Sequence, residues 1–69
     1  MRFDIYGIYR LEVVREDGSW AVYYLGDGKR RIAHDLVVPS SIQADEVQTY
    51  LDDILHELAR PGNTIRRLD

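Results

Sequence analysis

The chain has 69 residues, a formal net charge of −3 at pH 7 and no cysteine. A chain of this length makes one domain that buries only about 60% of its unfolded surface. Without cysteine it forms neither a disulfide nor a thiolate zinc site. Its pI near 5.2 argues against a general nucleic-acid binder, because neutralising phosphates requires a basic surface.

Targeting signals are not evident. No apolar run approaches the roughly 18–20 residues that cross a bilayer. Asp4 stands where the apolar region of a signal peptide would begin, so we expect no export signal. Together with the lack of cysteine, these patterns predict a cytoplasmic protein with no membrane partner.

The first predicted element is one long strand over residues 2–15. Odd positions are apolar on both sides of Gly7, from Phe3 to Val13, as expected of an extended segment with a side-chain period of two. Tyr6-Gly7 is neither the Asn-Gly nor the Asp-Gly of a two-residue hairpin. We therefore expect Gly7 to be a bend or bulge within the strand.

Asp17-Gly18 suits a type I′ turn and predicts a hairpin. A second strand over residues 19–25 then pairs Glu16 with Ser19, Val13 with Val22 and Leu11 with Tyr24. Apolar side chains meet apolar side chains on one face, which supports this register.

Gly26-Asp27-Gly28 marks the next turn and admits two registers. A three-residue loop pairs Leu25 with Lys29 and places Ile32 on the core face. A two-residue loop places Arg31 and Ala33 there instead. We expect the first, since it buries Ile32, with a third strand over residues 29–33.

One amphipathic helix is predicted over residues 43–60. Ser40 and Gln43 have the spacing of a capping box, and Arg60-Pro61-Gly62 ends the helix. Its apolar positions follow the i, i+3, i+4 pattern: Ala44, Val47, Leu51, Ile54, Leu55 and Leu58.

A short strand over residues 64–68 is predicted to pair with the first half of strand one. The fold class is therefore α+β. An antiparallel sheet of three to four strands in the order β-β-β-α-β carries one helix on one face, and residues 1–69 form a single domain.

Charge is distributed unevenly. The segment from Gln43 to Glu57 holds five acids and no lysine or arginine. We define an acidic helix face by Asp45, Asp52, Asp53 and Glu57, and a basic edge by Lys29, Arg30, Arg66 and Arg67. Such asymmetry can mark a docking surface, or it can be a solvated helix and strand edges protected from aggregation.

Catalytic and metal chemistry finds little support. Asp52 and His56 have a helical spacing of four that could hold a metal. However, His56 lies about 180° from Val47 around the helix, on the solvent face, where pairing with Asp52 is the simpler interpretation. His34-Asp35 and Ser40-Ser41 suit turn and capping roles. The sequence predicts no metal, no cofactor and no enzymatic activity.

The outer face of the sheet is the better candidate site. The predicted register places there a set of aromatic, apolar and basic side chains: Tyr6, Ile8, Arg10, Tyr23 and Arg31. Tyrosine and arginine are enriched in protein interfaces, and they also form stacking platforms for single-stranded nucleic acid. Alternatively, the face binds nothing but solvent, and its aromatic and β-branched residues occur there because they have a high strand propensity.

Five segments spread along the chain resemble a family of short, uncharacterised bacterial proteins known only as hypothetical: "MRFDIYG", "LEVVREDG", "GDGKRR", "YLDDILHELARPG" and "IRRL". The resemblance implies a free-standing small bacterial protein and implies no activity.

The sequence is compatible with two functions. The first is a non-enzymatic protein-interaction or regulatory module that binds a partner protein or itself as a homodimer. The alternative is a single-stranded nucleic-acid or nucleotide binder that uses the same tyrosines with the basic edge and Arg31.

Overall fold

A computed structural model describes residues 1–69. It is an α+β fold in which one helical segment covers one face of an antiparallel sheet with the strand order β4-β3-β2-β1-β5. The predicted class is confirmed, with five strands rather than three to four. The strands are β1 (Arg2–Ile5), β2 (Tyr9–Glu16), β3 (Ser19–Gly26), β4 (Lys29–Ile32) and β5 (Ile65–Arg67).

The predicted single strand over residues 2–15 is wrong, because the chain reverses direction at Tyr6-Gly7. Both residues have positive φ angles, 54° and 73°, as in a type I′ turn. The Ile8 N–H donates to the Ile5 carbonyl at 2.8 Å. β1 and β2 are therefore antiparallel neighbours, and Ile5 pairs with Tyr9.

Side-chain parity could not reveal this reversal. Residues 6–8 form a connection of three residues, so odd positions pair with odd positions, for example Phe3 with Leu11. Apolar residues therefore stay on one face through the turn, just as they would along an uninterrupted strand.

The hairpin at Asp17-Gly18 has the predicted register. Glu16 pairs with Ser19, and Val13 pairs with Val22. Because this turn has two residues, odd positions of β2 share a face with even positions of β3.

The register predicted for β4 is wrong. The turn contains only Asp27 and Gly28, with φ angles of 44° and 76°, so Tyr23 pairs with Ile32. Ala33 is 4% exposed on the core side, and Ile32 is 52% exposed on the opposite side. The type I′ geometry of the Asp-Gly turn sets this register, although it leaves Ile32 in solvent.

The helical segment lies close to the predicted range of 43–60, but it ends two residues earlier, at Leu58, and is not capped by Ser40. It consists of a 3-10 turn (Ala44–Glu46), the helix α1 (Val47–Leu55) and a final 3-10 turn (His56–Leu58). The Gln43 N–H donates to Glu46 Oε1 at 3.1 Å. Just before it, the Trp20 indole donates to the Ile42 carbonyl at 2.7 Å and anchors the connection to the sheet.

The core lies between α1 and the inner face of the sheet. β5 pairs with β1, as predicted, through Phe3 with Arg67 and Ile5 with Ile65. Each fully buried aliphatic or aromatic side chain contributes about 1.5–3 kcal/mol. The largest fully buried side chains are those of Phe3, Ile5, Leu11, Val13, Val47 and Leu51.

No helix of the structure is long and apolar enough to pass through a lipid bilayer.

Candidate functional site

The outer face of the sheet is the side opposite α1. The helix and the connection from residue 33 to residue 43 both pack on the inner face, and no outer-face side chain is fully buried. An apolar stripe, here called the outer stripe, follows β3 and its neighbours at alternate positions. Its residues are Val14, Ala21, Tyr23, Leu25 and Ile32.

Glu12 organises the charges beside the outer stripe. Its carboxylate accepts a hydrogen bond from Arg30 Nη1 at 2.8 Å and one from Arg2 Nε at 3.3 Å. Arg30 first, and Arg2 second, hold the pKa of Glu12 below its ordinary value. The side chain of Glu12 is 15% exposed, so the two arginines lie over a carboxylate that is largely covered.

Arg30 has a second contact. Its guanidinium lies 4.3 Å from the centre of the Tyr23 ring, a cation–π geometry. The Tyr23 hydroxyl lies 3.3 Å from both carboxylate oxygens of Glu16. The guanidinium thus covers one face of the ring, and the Glu16 carboxylate contacts its hydroxyl.

A pocket of about 290 Å³ opens where the outer stripe meets the β3–β4 turn. We call it the arginine pocket. Arg10 lines it and has no ion pair or hydrogen-bond partner in the protein. The other lining residues are Arg2, Glu12, Leu25, Gly26, Asp27, Gly28, Lys29 and Arg30.

Three of the five residues predicted for the interaction surface lie elsewhere. Arg10 and Tyr23 are on the outer face, as expected from the register. Ile8 is exposed in the β1–β2 turn. Tyr6 is 3% exposed in the core, and Arg31 pairs with Tyr24 on the inner side. The reversal at Gly7 moves Tyr6 and Ile8, and the two-residue turn moves Arg31.

Tyr6 instead ties the β1–β2 turn to α1. Its hydroxyl donates a hydrogen bond to the Asp52 carboxylate, and Asn63 Nδ2 donates to the Tyr6 carbonyl at 3.0 Å. Burial raises the pKa of the Tyr6 phenol to about 12, and the hydrogen bond to Asp52 adds to the effect. Any nucleic-acid stacking on the outer face would therefore rest on Tyr23 alone.

The predicted basic edge is divided between opposite edges of the sheet. Lys29 and Arg30 lie on β4, whereas Arg66 and Arg67 lie on β5. Arg67 donates to Asp69 at 3.2 Å. Arg66 pairs with Asp4 in the strand register, which directs it to the outer face.

The acidic helix face is exposed, but its members have different roles. Asp52 accepts the Tyr6 hydroxyl, whereas Asp45, Asp53 and Glu57 form no ion pair. His56 Nδ1 lies 2.8 Å from the Asp53 carbonyl oxygen. No group of three or more histidine, cysteine, aspartate or glutamate side chains is placed to hold a metal.

The model of one protein family, described as a domain of unknown function (DUF7661), matches residues 1–69. The chain belongs to the DUF7661 family. No curated protein and no solved structure matches it significantly. The family assignment agrees with the resemblance to uncharacterised proteins inferred from the sequence.

In this DUF7661 chain, sequence reasoning missed the cluster formed by Arg2, Glu12 and Arg30. The β2–β3 hairpin was predicted correctly, and it places Glu12 opposite Tyr23. Arg2 comes opposite Glu12 only because the chain reverses at Gly7. Arg30 reaches the outer face only because the β3–β4 turn has two residues. The Asp27-Gly28 dipeptide is typical of a two-residue turn, so it could have revealed that Arg30 lies on the outer face.

Proposed function

We propose that this chain is a small, non-enzymatic protein-interaction module that binds an acidic partner protein through its outer sheet face. The observation that carries the proposal is the outer stripe itself, an apolar and aromatic row on a sheet face that no other element covers. Tyrosine and arginine are the residues enriched at interfaces, and Tyr23 and Arg30 stack on this face.

The sheet face supplies part of the area that a partner needs. Its strands have four, eight, eight, four and three residues, which at about 3.3 Å per residue and 4.8 Å per strand give roughly 430 Å². A standard interface takes about 800 Å² from each partner. The sheet face would therefore form about half of such a contact, and the surrounding turns would form the rest.

Charge favours an acidic partner over a second copy. The strand registers direct four arginines and three carboxylates to this face: Arg2, Arg10, Arg30 and Arg66, and Asp4, Glu12 and Glu16. The face therefore has a net positive charge. A face-to-face homodimer would bring two such surfaces together, whereas an acidic partner would offset their charge.

Selection of peptides from a random phage-displayed library on the immobilised chain tests the proposal. The test variant is Ile32→Asp, on the outer stripe. The matched control is Ile54→Asp, on α1, where the side chain is 41% exposed. We expect the selected peptides to be rich in aspartate and glutamate, to bind Ile32→Asp at least tenfold more weakly and to bind the control within twofold.

Sedimentation velocity tests whether the outer face binds a second copy of the chain instead. We expect a monomer at micromolar concentration. A dimer that Ile32→Asp dissociates would assign the face to a second copy and overturn the acidic partner. Peptides that lose affinity equally on both variants, or only on Ile54→Asp, would overturn the outer face as the binding surface.

A further inference from the structure

The arginine pocket is lined mostly by charged residues and has one apolar side chain, Leu25. Four of its lining residues are cationic: Arg2, Arg10, Lys29 and Arg30. Glu12 and Asp27 contribute two negative charges, so the lining carries a net charge of about +2 in a chain whose total is −3. The pocket is therefore positively charged, although the protein as a whole is negatively charged.

Glu12 holds two of these cations in place. Arg2 uses only Nε, and Arg30 uses only Nη1, in their hydrogen bonds to it. The remaining N–H groups of both guanidinium groups have no partner in the protein. The stacking of Arg30 on Tyr23 further restricts its orientation. Donors held in this way lose less conformational entropy when they bind a ligand.

Arg10 is the free donor of the pocket. It pairs with Leu25 in the β2–β3 register and with Asp4 in the β1–β2 register. The Asp4 carboxylate accepts the Gly7 N–H and forms no ion pair with Arg10. Arg10 thus presents a complete guanidinium fork between Arg2 and Arg30, and such forks match carboxylate and phosphate oxygens.

We infer that the arginine pocket binds an oxyanion, a carboxylate or phosphate group of the acidic partner, and that Arg10 is its principal ligand. This inference rests on the proposed function, because it names the chemistry by which the outer face selects its partner. Two carboxylates or one phosphate dianion would balance the net charge of the pocket.

Titrations followed by the ¹H–¹⁵N amide resonances of the full chain test the inference. The probes are inorganic phosphate, a hexaglutamate peptide, the same peptide with phosphoserine at its centre and a ten-residue oligothymidine. We expect saturable shifts at Arg10 and at residues 25–30 with the first three probes. The tighter of the two peptides identifies the natural oxyanion, and added salt should weaken both.

The test variant is Arg10→Gln, and Lys29→Gln is a second change on the same pocket. Both side chains are exposed and unpartnered, so both variants should keep the wild-type fold. Arg66→Gln is the matched control, an unpartnered arginine on the same face outside the pocket. We expect Arg10→Gln to weaken peptide binding at least tenfold, Lys29→Gln about threefold and the control less than twofold.

Equal weakening by Arg10→Gln and Arg66→Gln would overturn the pocket, since it would show only diffuse attraction by the face. Tighter binding of the oligothymidine than of either peptide would overturn the protein partner and favour nucleic acid. If selected peptides depend on Ile32 but not on Arg10, this inference fails and the proposed function stands. If phosphate binding depends on Arg10 while no peptide depends on Ile32, the proposed function fails and the pocket remains an anion site.

Discussion

The Tyr6 hydroxyl donates a hydrogen bond to the Asp52 carboxylate and joins the β1–β2 turn to a helix 46 residues later in the chain. The sequence predicted neither the turn nor the contact. Tyr6 could reach α1 only because the chain reverses beside it, on the core side of the sheet.

Removal of this hydroxyl should lower stability by a modest amount. Tyr6→Phe keeps the buried ring and loses one hydrogen bond, so we expect the free energy of unfolding to fall by about 0.5–1.5 kcal/mol. The melting temperature should fall by about 4–8 °C per kcal/mol. Tyr23→Phe is the control, because its hydroxyl lies on the outer face, and it should change stability by less than about 0.5 kcal/mol. Equal losses in both variants would contradict a specific role for the Tyr6 contact.

High pH should destabilise the fold through two tyrosines. Burial, followed by hydrogen bonds to Asp52 and Asp35 respectively, raises the pKa values of Tyr6 and Tyr24 to about 12. An unfolded phenol has a pKa of about 10. Folding therefore favours the protonated form, so this contribution is complete below pH 10 and is lost as the pH rises from about 10 to 12.

Absorbance at 295 nm measures this titration directly. We expect a fraction of the tyrosine signal to titrate near pH 12 in the folded chain and none to do so in concentrated guanidinium chloride. The double variant Tyr6→Phe, Tyr24→Phe should reduce that fraction to at most the contribution of Tyr9, whose pKa is also raised by burial. It should also flatten the fall in stability above pH 10. A late fraction that is undiminished in the double variant would refute the assignment to these two phenols.

The reversal at Gly7 predicts that replacement by alanine lowers stability at Gly7 but not at Gly26. Gly7 has a φ angle of +73°, whereas Gly26 does not lie in the left-handed region, and a Cβ atom would meet nothing within 4 Å at either position. Gly7→Ala should therefore cost about 1–2 kcal/mol from backbone strain alone. Gly26→Ala should be neutral or slightly stabilising. Urea denaturation of both variants compares them, and a neutral Gly7→Ala would instead support an uninterrupted strand.

The two-residue turn before β4 predicts which of two neighbours tolerates a charge. Ile32→Lys places the ammonium on the exposed outer face and should change stability by less than about 1 kcal/mol. Ala33→Lys places it in the core and should cost several kcal/mol or prevent folding. Thermal denaturation of the two variants decides the register. A costly Ile32→Lys with a tolerated Ala33→Lys would restore the three-residue loop.

Much of the fold was already determined by local signals. The Asp17-Gly18 turn specified the β2–β3 register, because a type I′ turn has a fixed geometry and one-residue slips would expose the core. The apolar stripe of Val47, Leu51 and Leu55 specified the helix and its buried side. Arg10 and Tyr23 belonged to the outer face in any structure that kept this hairpin.

The rest was decided only in the tertiary structure. A three-residue connection at Tyr6–Ile8 preserves side-chain parity, so the sequence pattern is the same for one strand and for two. At β4, the geometry of the Asp27-Gly28 turn prevailed over the burial of Ile32. Both outcomes bring Arg2 and Arg30 from distant positions to Glu12, and periodicity within single strands contains no information on which strands become neighbours.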